Sequence, residues 1–422
     1  MKILLTTFGS LGDLHPYMAL GLALKKRGHT IGIATSPNYR EKIEAEGLNF
    51  YPVRPDFDKF GPPSEWMHKA MHKRTGSEYV VKQMVLPHLT EAYVDLKRAA
   101  IGSDLIIGHP LIYALPIAAD KLDLPWVSVM LQPITFFSAF DPPILPAAPY
   151  LSLFRGAGPK FHQWFYDAAR KRTLSWMEPV QKLRTEVGLE RTSLHPLFEG
   201  QYSPLLNLAV FSSVIGEKQP DWPDNSVITG FLYYDKAEVN QELDAQLSEF
   251  LDAGPPPIVF TLGSAAVNNP GQFYDESARA AKKLGKRAVL LTGKGSAAGV
   301  KTPLPEGVRA FEYAPYSQLF PRAAAIVHQG GIGTTAQALR AGKPQLIMPF
   351  SHDQPDNANR ITKMGVGQVL TRETFSANRA ASRLKTLLQP DRYVSRAAEV
   401  GALIRSESGE QRACDAIESV LR

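Results

Sequence analysis

The chain of 422 residues is long enough for two or three domains at roughly 150 residues each. Its 47 basic residues against 41 acidic ones leave a net charge of +6, which mildly favours anionic ligands and is no nucleic-acid footprint. The single cysteine, Cys414, excludes an internal disulfide and fits a reducing cytoplasm, and nowhere do about 18 apolar residues run together as a membrane span requires.

In chain order, Lys2 to Thr6 reads as a buried strand and Thr7 to His15 as a loop. With only Ile3, Leu4 and Leu5 consecutive near the start, no signal peptide is expected. Pro16 to Arg27 reads as a helix, with Pro16 at the first helical position, Lys25, Lys26 and Arg27 in the last turn, and Gly28 closing it. Strands recur at Thr30 to Thr35, Leu105 to Gly108, Trp126 to Met130 and Leu208 to Ser212, with helical segments between. The pattern restarts at Ile258 to Leu262 and Ala288 to Thr292. Glu217 to Pro223 and Gly254 to Pro257 look like joints. The reading is α/β, two Rossmann-like doubly wound units over 1–232 and 254–394, a linker over 233–253 and a terminal helix over 395–422. Ligands of such sheets bind at the carboxyl ends of the strands, so the cleft between the halves is the expected site.

The most informative stretch is Ala323 to Asp353. An apolar run ends at His328; Gly330, Gly331 and Gly333 permit a tight turn; a helix is expected from Thr334, and Gln345 to Pro349 return as a strand. A helix start with unpaired N–H groups and the hydroxyls of Thr334 and Thr335 suits a diphosphate. A Walker loop is excluded, because no lysine lies between His328 and Arg340. Two readings stay open. Gly331, Gly333 and Ala336 fit a dinucleotide fingerprint with Asp353 as a ribose acid. Alternatively, His328 joins the helix start on the phosphates while Asp353 and Gln354 face an attached sugar.

The motifs His328-Gln329-Gly330-Gly331-Ile332-Gly333-Thr334-Thr335, Pro349-Phe350-Ser351-His352-Asp353-Gln354 with Asn357-Ala358, Tyr313-Ala314-Pro315 and Gly9-Ser10-Leu11-Gly12-Asp13-Leu14-His15-Pro16 span both halves. As a set they resemble the inverting nucleotide-sugar glycosyltransferases of the GT-B fold, among which bacterial rhamnolipid-type members look most similar. The resemblance implies a first half that binds acceptor and a second that binds donor, with the terminal helix packed back across the first. It further implies that His328, Thr334 and Thr335 hold the diphosphate and that Asp353 and Gln354 hold sugar hydroxyls. Tyr313, followed by Ala314, would stack on the base, and Ser264 would contact phosphate. The co-substrate would be a UDP- or dTDP-sugar, with no cofactor. Where uridine-dependent relatives place a ribose-binding Glu, the chain has Gln337, a weaker acceptor that favours dTDP-sugars at least equally with UDP-sugars.

Chemistry needs a base for the acceptor hydroxyl. Asp13 is one candidate: Pro16 at a helix start would make His15 the cap and displace Asp13 into the cleft loop, although capping is the common task of an Asp in such a place. His109, emerging after Leu105-Ile106-Ile107-Gly108, is the other, and the two could share the proton. By the resemblance, Asp13 stands where plant-type members carry a catalytic His and His109 where they carry its orienting Asp. No His, Cys and carboxylate cluster has metal-ligand spacing, and Asp56-Phe57-Asp58 reads as a solvated loop. Phe136, Phe137 and Phe140 suit an apolar, hydroxylated acceptor. Tyr150 to Arg172 mixes aromatic and basic residues and can be read as a peripheral membrane contact or as a packed face with a solvated edge. A dehydrogenase and a non-catalytic sugar-nucleotide-binding protein remain alternatives from other classes.

Overall fold

The computed structural model describes residues 1–235, 243–267, 269–293, 300 and 303–421. Two parallel sheets form it. The first has seven strands: β1 (Lys2–Thr6), β2 (Thr30–Thr35), β3 (Asn49–Pro52), β4 (Leu105–Gly108), β5 (Trp126–Met130), β6 (Leu206–Ala209) and β7 (Ser226–Ile228), in the order β3-β2-β1-β4-β5-β6-β7. The second has six: β8 (Ile258–Thr261), β9 (Ala288–Leu291), β10 (Val308–Phe311), β11 (Ala325–His328), β12 (Gln345–Ile347) and β13 (Gly367–Val369), in the order β10-β9-β8-β11-β12-β13. Central strands such as β4 and β11 are buried at every residue, as expected of sheets covered on both faces. In each sheet the strand order reverses once, between β1 and β4 and between β8 and β11. Crevices open at these reversals, and the turns that leave β1, β4, β8 and β11 stand there.

Among the helices are α1 (Leu11–Lys26), α2 (Pro159–Thr173), α3 (Ile332–Arg340), α4 (Gln354–Lys363), α5 (Ser395–Arg405) and α6 (Gly409–Ser419). The terminal segment, expected as one helix, bends at 406–408 into α5 and α6. Helix α5 lies on α3, and α6 lies on α1 of the first half. Cys414 and Ile417 of α6 are fully buried there, and Arg27 Nη1 reaches Asp415 Oδ1 at 2.6 Å and Glu418 Oε2 at 3.0 Å. The partly exposed ion pairs add little, so the apolar contact holds this strap.

The expected linker is corrected at its far end. Ala245–Asp252 is a helix whose Leu247 and Leu251 enter the apolar cluster under β8 and β9, because two leucines one turn apart on one face have more to gain from that core than from water. Residues 236–242 of the expected linker lie outside the described residues. At the near end, Tyr233 Oη donates to Ala336 O at 3.3 Å, which ties the joint to α3.

Candidate active site

The turn after β1 is built around Asp13. Ser10 is the N-cap of α1, with extended backbone, and its Oγ accepts from Gly12 N–H at 3.2 Å. Asp13, at the third helical position, closes the reciprocal half: its Oδ2 accepts from Ser10 N–H at 2.7 Å. Helix α1 therefore starts five residues before the expected Pro16, which is accommodated inside it, and His15 is a helical residue rather than a cap. The capping and base readings of Asp13 turn out to be compatible. Oδ2 is committed to the cap, while Oδ1 lies 3.9 Å from His109 Nε2.

His109 follows β4 and is buried. Its Nδ1 accepts from Leu111 N–H at 3.1 Å, so the neutral ring carries its proton on Nε2, the atom that faces Asp13. Burial lowers the imidazole pKa to about 4. Burial also raises Asp13 to about 6, against the pull of its hydrogen bonds to Ser10. Near neutrality the pair is then a carboxylate beside a neutral imidazole N–H.

Across the cleft, Gly331 caps α3, which starts at Ile332, two residues before the expected Thr334. Gly330 has φ +89° and could not carry a Cβ without meeting Ile347 Cγ2 at 2.8 Å. A Cβ on Gly333 would come to 3.7 Å from Gly12 Cα, so the first turns of α1 and α3 face one another. Thr334 is buried, and Thr335 Oγ1 is buried with no hydrogen-bond partner among the described residues.

His328 is corrected. Its ring is fully buried: Nδ1 accepts from Gly330 N–H at 3.1 Å and Nε2 bonds Gln345 Oε1 at 2.9 Å. Both nitrogens are occupied and burial lowers the pKa to about 4, so the ring shapes the glycine turn and offers neither charge nor a donor to phosphate. His328→Ala should accordingly lower stability by about 1–3 kcal/mol, the cost of leaving buried partners unmet. Urea denaturation beside a nucleotide titration checks this, and a loss of nucleotide affinity at unchanged stability would restore the phosphate role.

Asp353 stands at the entry to α4. Its Oδ2 accepts from Asn357 Nδ2 at 2.7 Å, and the same nitrogen holds Gly330 O at 2.9 Å. Burial first, then the negative charge of Asp13, pushes Asp353 up to about 7. The two carboxylates thus sense each other across the cleft. Gln354 is buried and its Oε1 accepts from Phe350 N–H at 2.8 Å, so it shapes the loop before α4. Ser264 lies exposed in the short helix Gly263–Ala266 that leaves β8, beside the turn after β11. Tyr313 is exposed at the exit of β10, and Ala314 after it is buried. Gln337 gives its amide nitrogen to Asp235 Oδ1 at 3.1 Å, and Asp235 also pairs with Arg340. A Glu at 337 would meet that carboxylate, so the amide nitrogen of Gln337 serves the domain joint while its amide oxygen is not engaged by this contact.

The aromatic acceptor residues are mostly redirected. Phe136 is core, stacked on Trp222 at 3.7 Å between ring centres. Phe137 leans on Phe198 at 4.9 Å, and Phe140 alone is exposed. An aromatic wall beside the turn after β1 includes Phe57, read as part of a solvated loop: it stacks on Trp66 at 5.8 Å and approaches Phe8 at 5.5 Å, and Trp66 Nε1 is buried without a partner among the described residues. Phe57, Phe60 and Trp66, closely spaced around Pro62 and Pro63, are the available signal. Of the flanking carboxylates, Asp56 Oδ1 accepts from Asp58 N–H in the turn and Asp58 Oδ1 accepts from the distant Asn38 Nδ2. A cavity of about 450 Å³ with His109 in its wall follows β4, with Ile112, Tyr113, Leu115 and Ile117 among its apolar lining and Asp120, Arg184 and Glu199 among its charged lining.

Comparison with known proteins matches residues 3–98 to the glycosyltransferase family 28 N-terminal domain and residues 283–414 to the erythromycin biosynthesis protein CIII-like C-terminal domain. O-mycaminosyltylonolide 6-deoxyallosyltransferase of Streptomyces fradiae is 30% identical over 99% of this chain and 97% of its own length. A sterol 3-beta-glucosyltransferase of Yarrowia lipolytica is 28% identical over 99% of this chain, which spans only 28% of that longer protein. Among solved structures, CalG4, the calicheamicin glycosyltransferase, superposes with a TM-score of 0.73 at 18% identity, covering 100% of this chain and 98% of that one, a likeness of fold.

Proposed function

The chain belongs to the GT-B-fold nucleotide-sugar glycosyltransferases, and on that premise we propose that it moves a hexose or deoxyhexose from a UDP- or dTDP-sugar to a hydroxyl of an apolar acceptor, with inversion and without a resident metal or cofactor. One observation carries the reading: Asp13 Oδ1, uncommitted and beside His109, stands on the first half opposite the start of α3 and Asp353 on the second. An acceptor hydroxyl at Oδ1 gives its proton to Asp13 as its oxygen bonds the anomeric carbon. The bond from that carbon to the diphosphate breaks, and the leaving charge falls on the N–H groups of α3 and the hydroxyls of Thr334 and Thr335. Base and leaving group approach the sugar from opposite sides, which makes a single displacement inverting. Asp353 holds sugar hydroxyls, Ser264 meets phosphate, and Tyr313 covers the base. His109 keeps its proton and steadies Oδ1 from behind, so its part is positioning.

The relatives act, by name, on a macrolide-type molecule and on sterols, which supports a bulky apolar acceptor seated between the Phe57–Trp66 wall and the cavity at His109. No helix of the described residues is long and apolar enough to cross a membrane. Peripheral contact through Tyr150, Leu153, Phe154 and Trp164, all exposed, would suit a lipid-borne acceptor met from the cytoplasm. Among the described residues no three His, Cys, Asp or Glu side chains are grouped to hold an ion.

The test is transfer from UDP-glucose, dTDP-glucose and dTDP-rhamnose to a phenolic or sterol acceptor, with product anomer assigned by NMR and a strong chelator present. An inverted product and undiminished rate are expected. Retention, or loss of rate restored by magnesium or manganese, would refute the mechanism. The pH profile adds a second check. The base works only ionised, so kcat/KM should fall as pH drops through about 6, where burial has placed Asp13. An acid limb near the ordinary carboxylate value would show that Asp13 is not the titrating base.

A further inference from the structure

A second cluster of charge lies between the halves, away from the nucleotide site. The chain leaving β5 runs along α4, and Asp141, Arg155, Arg360 and Lys363 wall a cavity of about 210 Å³ there. Asp141 is shared by two guanidinium groups: Oδ1 accepts from Arg155 Nη2 at 3.2 Å and Oδ2 from Arg360 Nη1 at 2.6 Å. Arg360 also gives Nε to Asp356 Oδ2 at 2.7 Å and Nη1 to Ile215 O at 3.0 Å. Arg155 Nη1 and Arg360 Nη2 are left, both buried and without a hydrogen-bond partner among the described residues, and Arg360 as a whole is 7% exposed. Burial, with the neighbouring Arg155 and Arg360, lowers the Lys363 pKa, so the three cations sense one another. Three positive charges stand against the two carboxylates of Asp141 and Asp356.

Folded proteins leave few buried N–H groups unmet, and where they do, an ion or water commonly completes the set. Guanidinium groups with free N–H edges match the oxygens of a tetrahedral oxyanion, and the excess positive charge selects an anion over water. Arg360 is seven residues beyond Asp353 on α4, roughly 10 Å along the axis, so the donor diphosphate does not reach it. We propose that the Arg155–Arg360–Lys363 cavity binds a phosphate group, at a site separate from the donor's, and that the bound phosphate ties the 138–158 segment of the first half to α4 of the second. The phosphate can be free or can be the headgroup of an anionic phospholipid, since Leu153 and Phe154 beside Arg155 are 83% and 48% exposed.

The site does not depend on glycosyl transfer, and its test does not read activity. Inorganic phosphate is titrated calorimetrically into the full chain with dTDP saturating, so that the donor site is filled, and with chloride matching ionic strength. One saturable phosphate site is expected. Lys363→Gln should weaken it about tenfold or more, as should Arg155→Gln, whereas Lys171→Gln on α2 should not. Lys363 is exposed, so its replacement leaves packing intact even where Arg155→Gln disturbs the fold. Absence of saturable binding, or equal affinity in Lys363→Gln, would overturn the site. Sedimentation with phosphatidylglycerol and phosphatidylcholine vesicles then assigns the source. Selective binding to phosphatidylglycerol that is lost in Lys363→Gln identifies a headgroup; vesicle behaviour unchanged by that variant, with phosphate binding lost, identifies free phosphate.

Discussion

Asp13→Asn is expected to lower kcat about 10²- to 10⁴-fold, the worth of a positioned general base. The amide oxygen of Asn can still accept from Ser10 N–H, so the cap of α1 and the fold around it should survive. What changes is the free atom beside His109, which loses its charge and its capacity to take a proton. Nucleoside diphosphate affinity should stay nearly constant, because the donor groups are on the second half, and a fall in kcat and kcat/KM at unchanged nucleotide affinity is the signature of an interaction made in the transition state. His109→Ala should cost less, since its Nδ1 is spent on Leu111 N–H and its Nε2 already bears the proton. Steady-state rates and a nucleotide titration on both variants decide the matter. Wild-type turnover in Asp13→Asn with His109→Ala inactive would transfer the base to His109.

Legibility in the sequence tracks how local the determining contacts are. β1, β2, β4 and β5 occupy the residues expected of them because a strand buried on both faces is written as a continuous apolar run. β3, β7, β10 and β13 carry no such mark. They are sheet edges or neighbours of edges, two of them only three residues long, and in Val308–Phe311 both central residues are exposed, so no periodic pattern reveals them. The start of α1 is misread when Pro16 is weighted above Ser10 and Asp13, which form a capping box with Asp in place of the commoner Glu. Asp13, His109 and the Gly330–Thr335 turn each follow a strand next to a reversal of sheet order, and Asp353 follows β12, the neighbour of β11, so the four stand at one cleft. His328 and Phe136 are misread from their neighbours in sequence, because their partners Gln345 and Trp222 are distant along the chain. Nothing in a linear pattern announces such a pairing. With His328 committed to Gln345 and the Gly330 turn, stabilisation of the leaving diphosphate falls to the start of α3. That places more weight on the glycines that keep that turn open.

Gly9→Ala should reduce kcat about 10²-fold although residue 9 touches no substrate, because misplacing a reacting group by about 1 Å costs that much. Gly9 has φ +129°, a conformation that side chains rarely adopt, and a Cβ there would fall 2.2 Å from Asp13 Oδ2 and 2.6 Å from its Cγ. The obstructing atoms belong to the end of a side chain, so the cheaper relief is to swing the carboxylate away rather than to rebuild the turn. Oδ2 then leaves Ser10 N–H and Oδ1 leaves its place before His109. The capping box and the base are lost together. Some stability should go as well, about 1–3 kcal/mol for the strained backbone, which thermal denaturation would register separately. The decisive measurement is a double-mutant cycle. If Gly9 acts through the Asp13 carboxylate, adding Gly9→Ala to Asp13→Asn should cost little further activity, since a base already removed cannot be misplaced. Losses that multiply would mean that Gly9 serves the site by another route, and a Gly9→Ala enzyme of normal kcat would show that the carboxylate's position in the turn does not matter.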